Sequence, residues 1–359
     1  MNDWTKLIIE PENNIRSAMQ LMDEMRSKLL IVCKNNKFIS VLSIGDIQRA
    51  ILSNHSLEEE INSILRNQII IAYENDNEEE VRSLMLKHRI EAMPIVDVED
   101  NVVDVLFWSE IFSERKERIV NNLPNIPVVI MAGGKGTRLK PITNIIPKPL
   151  IPLGEKPVLE RIIDSFNEVG VKNFHLTVNY KQDMIRSYFA SQPKRDYSIN
   201  YFEENKPLGT AGSLHLLKGK LKETFFVTNC DILIQDDYSE ILKYHKSNGN
   251  ELTAVSAVKH FKIPYGTLEF GENGVLEKLK EKPEYNFFIN AGMYILEPHL
   301  LDEIPENEFF HITTLMEKIM ERKGKVGIFP VSEGSWMDIG QWDEYNKTSK
   351  KLGYEGINL

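Results

Sequence analysis

Hydrophobic positions change their spacing about one third of the way along the chain. From Ile126 onward, uninterrupted apolar runs alternate with stretches of helical spacing. Val128, Val129, Ile130 and Met131 leave no polar position between them, which predicts a strand buried on both faces. Leu159, Ile162, Ile163 and Phe166 then recur at helical spacing, and Gly170 ends that helix. Residues 174–180 read as strand, 181–190 as helix, 197–203 as strand, and the run from Phe225 ends at the carboxylate of Asp231. Such alternation predicts an α/β fold with a doubly wound, mostly parallel sheet. Ligands in that architecture bind outside the carboxyl ends of the strands. Further on, Gly271-Glu272-Asn273-Gly274 predicts a hairpin turn, a strand runs up to Leu296, and residues 341–352 close the chain as a helix.

The front third follows another plan. At an offset of 64 residues, Ile31-Val32 aligns on Ile95-Val96, Val41-Leu42 on Val105-Leu106, and Asp46-Ile47 on Glu110-Ile111. Each copy carries a helical stretch (17–25 and 81–88), an apolar strand, a polar turn, a second strand and a closing helix. The predicted domains are therefore a paired module over 1–121, with repeats at about 1–57 and 63–120, and a larger domain over 126–359. The turn formers Asn121-Asn122-Leu123-Pro124-Asn125 separate them.

Composition sharpens this picture in three ways. Hydrophobic residues at 42% and charged residues at 27% are those of an ordinary soluble protein, and the first ten residues predict neither signal peptide nor membrane anchor. The formal charge of −10 argues against nucleic acid as a partner. Residues 1–124 carry 14 Lys+Arg against 22 Asp+Glu, so the acidity sits at the front and leaves −2 for the remainder. Cys33 and Cys230 lack a CxxC partner, and two reduced thiols in a cytoplasmic protein is the expected reading.

The candidate chemistry starts where the first strand of the larger domain ends. Ala132, Gly133, Gly134, Lys135 and Gly136 cannot continue a strand, and glycines let backbone amides wrap a polyanion. Thr137 and Arg138 follow, and Pro147-Lys148-Pro149-Leu150 lies close behind. No Gly-Lys-Ser/Thr closes the loop, so it is not a Walker A sequence, and the Gly-x-Gly-x-x-Gly fingerprint is absent too. Together these residues resemble the signature of sugar-1-phosphate nucleotidyltransferases, which join a nucleoside triphosphate to a sugar phosphate. A Rossmann-like nucleotidyltransferase domain is the fold this resemblance implies.

The resemblance also implies roles for particular residues. Ala132, Gly133, Gly134, Gly136, Thr137, Arg138 and Lys148 would hold the triphosphate, with Arg138 and Lys148 as the catalytic cations. In Glu204-Asn205-Lys206-Pro207-Leu208-Gly209-Thr210, the Leu-Gly-Thr segment would pack against the base and Glu204, four residues ahead of Leu208, would read its edge. A carboxylate offers acceptors that suit the adjacent N–H donors of guanine, so GTP is the expected nucleotide. Asp231, at a strand end, and Asp338, in Trp336-Met337-Asp338-Ile339-Gly340, would hold Mg²⁺, an ion that takes only one or two protein carboxylates. Gly266, Glu281, Lys282 and Asn290 would meet the sugar phosphate. Asp236 and Asp237 are expected to cap the helix that starts at Tyr238.

The front repeat resembles a tandem CBS pair, an α+β module whose family commonly binds adenine nucleotides between its two copies. Ser43 and Asp46 fit the ligand pattern of that family, whereas the second copy departs from it with Phe107 and Glu110. A structural or dimerising module is the alternative, and paired modules of this kind imply a homo-oligomer. A CBS pair ahead of such a transferase looks like the guanylyltransferases of bacterial nonulosonate (legionaminic acid type) pathways, which implies glucosamine-1-phosphate as acceptor. Mannose- or glucose-1-phosphate, another donor base (UTP, dTTP or CTP), and a non-catalytic nucleotide-sensing regulator are the competing readings.

Overall fold

The computed structural model describes residues 4–107 apart from 26, 67–68, 78, 82–83, 86–89 and 91, together with residue 123, residues 126–193 and residues 195–354. The chain divides into two compact units, Met1–Arg118 and Ile119–Leu359. Most of the predicted helix over 81–88, the closing helix of the second repeat with Glu110, and linker positions 121, 122, 124 and 125 lie outside the described residues.

In the first unit the repeat is visible strand by strand. β1 (Ile8–Ile9) pairs in parallel with β2 (Leu29–Lys34), which pairs antiparallel with β3 (Lys37–Ser43). β4 (Ala72–Tyr73), β5 (Ala92–Val96) and β6 (Val102–Phe107) repeat that order. A bulge passes over Ile39 in the first copy and Val103 in the second, the same 64-residue offset. The two hairpin turns meet, with Phe38 N donating to Asp100 O at 2.8 Å, and Ile31, Cys33, Ala92, Val96, Val102 and Val105 share one core cluster. Helix α1 (Ile15–Met25) buries Ile15, Ala18, Met19 and Met22, and α2 (Ile44–Leu52) starts at Ser43. Ser43 and Asp46 form a reciprocal capping box there. Asp46 is buried and also ion-paired to Arg49 and, at 2.7 Å, to Arg66. The two residues expected to face a ligand are thus already employed in starting α2.

The second unit is built on a seven-stranded sheet of order β11-β10-β7-β12-β17-β14-β18. Its strands are β7 (Val128–Ala132), β10 (Asn173–Val178), β11 (Ser198–Glu203), β12 (Phe225–Asn229), β14 (Leu252–Lys262), β17 (Glu284–Leu296) and β18 (Val326–Val331). Only β17 runs against the others, as its antiparallel pairing with both β12 and β14 requires. The parallel central strands alternate their side chains between two cores. Val128, Ile130 and Ala132 of β7 pack into one cluster with α3 (Val158–Glu168), α4 (Gln182–Ser191), α5 (Tyr238–Ser247) and α7 (Trp342–Lys351). Val129 faces the other cluster, with Leu214, Leu217 and α6 (Ile312–Glu321). Helices therefore cover both faces, the doubly wound arrangement that the alternation predicts. Asp237 caps α5 by accepting from Ser239 N at 2.8 Å.

Small ribbons decorate this frame. β8 (Pro152–Leu153) and β9 (Lys156–Pro157) form a turn ahead of α3. β15 (Thr267–Phe270) and β16 (Leu276–Lys280) make the predicted hairpin. β13 (Ile232–Ile234) pairs antiparallel with β19 (Trp336–Asp338), a ribbon that the hydrophobic pattern does not announce because each strand has only three residues. No helix among the described residues is long and apolar enough to cross a membrane.

One ion-pair network ties β14 to the end of α6. Arg322 donates to Glu251 at 2.9 Å and to Glu303 at 3.0 Å, and His299 Nε2 lies 2.7 Å from Glu251. The guanidinium holds the Glu251 carboxyl down at about 2. A depressed carboxylate contributes stability above its ordinary value of 4.5 and loses it as pH falls toward 2. Glu251→Gln should lower stability at pH 7 by no more than about 1 kcal/mol, because the Arg322 side chain is 39% exposed and screened by solvent. The difference from wild type should shrink below pH 4.5, as followed by urea unfolding across that range.

Candidate active site

Parallel strands β7, β10 and β12 end at the same edge of the sheet, so whatever follows each of them is gathered there. A cleft of about 360 Å³ opens at this edge. Met131, Gly133, Gly134, Gly136, Thr137, Arg138 and Lys148 line one part, Glu204, Pro207, Leu208, Gly209 and Thr210 another, and Asn229, Cys230, Asp231, Phe309 and Gly340 complete it. Eleven of these seventeen were expected from sequence; Ala132 is buried at the end of β7 behind them, and Asp338 touches Gly340.

The glycine loop is shaped by close approach. Gly136 adopts a left-handed φ of +63°, and a Cβ there would lie 2.8 Å from Lys148 Cβ and 2.9 Å from Thr143. Thr143 braces the turn by donating to Gly136 O at 2.9 Å, and Tyr180 donates to Thr143 O at 3.0 Å. Lys148 is thereby pinned beside the loop while its ammonium ion-pairs with Asp231. Thr137, Arg138 and Gly134 are exposed at the cleft mouth.

Asp338 reaches Asp231 through the β13–β19 ribbon. Ile232 pairs with Asp338, and Ile339 N donates to Asp231 O at 2.9 Å. A methyl group on Gly340 would lie 2.8 Å from Asp231 Oδ2 and from Asp338 Oδ1 alike, and 3.5 Å from Lys148 Nζ. The two carboxylate oxygens are therefore no more than 5.6 Å apart. Burial pushes the Asp338 carboxyl up, and the negative charge of Asp231 adds to this, while the Gly340 amide and Lys148 oppose it. Two converging carboxylates form a hard-oxygen set that fits a divalent cation of the Mg²⁺ type.

Glu204 is 8% exposed and lies so close to Gly133 that a Cβ there would meet its Oε1 at 2.3 Å. Burial raises its carboxyl, against hydrogen bonds from Thr177 and the Leu208 amide. Ser213 in turn donates to Thr177 at 3.1 Å, so buried hydroxyls are relayed onto the carboxylate and fix it as an acceptor. Cys230 is also buried in this wall, its thiol pushed up to about 12, and stays protonated at neutral pH.

The residues expected around a sugar phosphate are not among those that line this cleft. Gly266 and Glu281 adjoin each other, since a Cβ on Gly266 would lie 2.9 Å from Glu281 Oε2, and Lys282 takes a positive φ of +42° in the turn beside them. Asn290 Oδ1 accepts from Gly292 N at 3.1 Å and from the Tyr294 hydroxyl at 2.8 Å. Gly292 links that strand to the cleft, because a Cβ there would be 2.6 Å from Asn229 Nδ2.

Sequence reasoning missed Met131, Pro207, Asn229, Cys230, Phe309 and Gly340 as lining residues. The signal for Gly340 was present in its adjacency to Asp338; Phe309 arrives from 99 residues beyond Thr210, and no local pattern could have placed it. Gly209 has an explanation beyond base packing, since its φ is +81° and a Cβ would meet Phe310 O at 2.6 Å.

An α/β domain with a glycine loop and a pair of facing carboxylates at one edge of its sheet defines the class, and comparison with known proteins specifies it. The nucleotidyl transferase family model matches residues 127–355, and the chain belongs to that family; the CBS domain model matches residues 61–117. The chain is 35% identical over 227 residues to probable mannose-1-phosphate guanylyltransferase 2 of Oryza sativa subsp. japonica, covering 60% of this chain and 62% of that protein. It is likewise 35% identical over 222 residues to the mannose-1-phosphate guanylyltransferase catalytic subunit beta of Xenopus tropicalis, with 59% and 61% covered. The match thus spans less than two thirds of these relatives' own length. Among solved structures it is similar to HddC from Yersinia pseudotuberculosis, at 26% identity and a TM-score of 0.51, over 63% of this chain and 99% of that one. HddC has also been solved in complex with GMP-PN, at 26% identity, a TM-score of 0.50 and the same coverage.

The cleft makes opposite demands at two glycines. Gly209→Ala should cost about 1–3 kcal/mol through backbone strain and the Phe310 carbonyl, whereas Gly134→Ala, with nothing within 4 Å of the added methyl, should stay within about 0.5 kcal/mol. Thermal unfolding of the two variants tests this, and equal melting temperatures would contradict the packing described.

Proposed function

We propose that the second unit transfers GMP from GTP to a sugar-1-phosphate, releasing pyrophosphate and forming a GDP-sugar. The observation that carries this reading is the buried Glu204 carboxylate, held as an acceptor beside Gly133 in a cleft that also joins the amide-rich glycine loop to Lys148 and Asp231, with Asp338 adjoining. The family membership and the guanylyltransferase names of the relatives support it. Those names put mannose-1-phosphate first as acceptor, and the glucosamine-1-phosphate expected from the domain arrangement stands beside it.

In this reading a phosphate oxygen of the sugar phosphate attacks the α-phosphorus of the nucleotide. One P–O bond forms as the bond to the β-phosphate bridging oxygen breaks, and pyrophosphate carries away that electron pair. The nucleophile is an anion at neutral pH, so no general base is needed and the protonated Cys230 thiol takes no part. The protein's task is alignment and charge cancellation. Amides of Gly133, Gly134, Gly136 and Thr137 hold the outer phosphates, Arg138 the departing pyrophosphate, and Lys148 the α-phosphoryl oxygens. Lys282, Glu281, Gly266 and Asn290 receive the sugar phosphate. Asp231 and Asp338 would hold Mg²⁺, which neutralises charge between the two reactants when bound. Lys148 and Asp231 form an ion pair, so each keeps the other oriented for its part.

Pyrophosphate release should be measured with Mg²⁺, each of GTP, UTP, dTTP, CTP and ATP, and mannose-, glucosamine- and glucose-1-phosphate. GTP should be preferred, and a preference for UTP or dTTP would overturn the role of Glu204. Lys148→Ala should cost about two to three decades in kcat with the fold intact. Asp338→Asn should lose most Mg²⁺-dependent turnover, and EDTA should abolish turnover in the wild type. Release of no pyrophosphate under any of these combinations would favour the regulator reading.

A further inference from the structure

Phe309 and Phe310 are adjacent, but they face opposite ways. Phe310 is 7% exposed and packs into the core cluster around Leu214 and Leu315, whereas Phe309 is 63% exposed and lines the cleft. An exposed phenyl ring brings no gain from burial, and this one is held firmly. Phe310 N donates to Leu208 O at 2.9 Å, and Phe310 O accepts from Ala211 N at 3.0 Å and Gly212 N at 3.1 Å. Backbone bonds thus lash the segment to the Leu208–Gly209 loop, the stretch that follows Glu204. The approach is close enough to exclude side chains: a Cβ on Gly212 would lie 2.5 Å from Glu308 O.

The ring itself has a brace. Phe309 meets the His311 ring edge to face, with centroids 4.8 Å apart. His311 Nδ1 lies 3.2 Å from the Thr210 hydroxyl, which accepts from Ile312 N at 3.1 Å and so has its own hydrogen free for the imidazole. A rigid aromatic face is therefore presented to the cleft that Glu204, Pro207 and Leu208 also line.

We propose that Phe309 is the stacking surface for the base of the bound nucleotide. This rests on the guanylyl-transfer reading and deepens it: Glu204 reads the edge of the purine and Phe309 takes one of its faces. Stacking of a base on an aromatic side chain is lost on truncation to Ala with a fall in affinity of about fivefold to a hundredfold. Phosphate contacts are made elsewhere in the cleft and do not change.

Titrating the full-length protein with a non-hydrolysable GTP analogue and Mg²⁺, by calorimetry, tests this. Phe309→Ala should raise Kd about tenfold or more, Phe309→Trp should restore affinity, and inorganic triphosphate should bind wild type and Phe309→Ala alike. Phe270→Ala, which removes a ring 74% exposed on the β15–β16 hairpin, should leave the GTP analogue's Kd unchanged. An unchanged Kd in Phe309→Ala would overturn the proposal, as would an equal loss for the analogue and for triphosphate, which would mean that the ring shapes the loop instead of meeting the base. Failure of the wild type to bind any nucleoside triphosphate would instead count against the guanylyl-transfer reading itself.

Discussion

Two facing carboxylates, Asp231 buried and Asp338 half-buried, organise the larger domain. Asp231 and Asp338 are separated by over a hundred residues, yet their oxygens lie within 5.6 Å. At an effective dielectric near 20, like charges at that distance repel by about 3 kcal/mol, and burial adds to the penalty for Asp338. The fold bears this because the same ribbon that joins them is well packed. Ile232, Leu233, Ile234, Met337 and Ile339 are all buried in the main core. Hydrophobic burial on either side of the pair thus holds in place an arrangement that electrostatics alone would push apart, a common condition of sites built to receive a cation.

The rest of the cleft follows from that fixed point. Lys148 offsets part of the negative charge, and Lys148 is itself positioned by a glycine loop that tolerates no side chain at Gly136. Beside Gly133 of the same loop, a hydroxyl relay from Ser213 through Thr177 sets Glu204 as an acceptor. In the proposed function, phosphate, cation and base would meet three separate devices: backbone amides, paired carboxylates, and one buried acceptor that shares its cleft with an aromatic ring. Each sits just beyond a parallel strand or is tied by backbone bonds to a loop that does.

The first unit illustrates how the same residues can satisfy two descriptions. Ser43 and Asp46 fit a ligand-binding pattern, and they also make a capping box that starts α2. A hydroxyl three residues ahead of a carboxylate is what both uses require, so spacing could not separate them. The repeat itself was unambiguous, because its offset governs strands, turns and even the position of the bulge at Ile39 and Val103.

What the sequence determined by itself was whatever is encoded within a dozen residues or so. The uninterrupted apolar run at Val128, the helical spacing around Ile162, the glycine loop, the cap at Asp237 and the alternation of strand with helix are local patterns, and they sufficed for the fold class, while the family resemblance carried by short motifs pointed to eleven residues that line the cleft. Tertiary structure alone decided what depends on distant segments meeting. The ribbon between Ile232 and Asp338 has strands too short to show a period, and only resemblance pointed to Asp231 and Asp338 as a pair of cation ligands. Phe309 lies beside Gly209 because backbone hydrogen bonds reach across a hundred residues, and the raised carboxyls of Glu204 and Asp338 come from burial that no single stretch specifies. Local propensity and hydrophobic period are properties of neighbours along the chain; closeness in space, and the desolvation that comes with it, exists only once the core has formed.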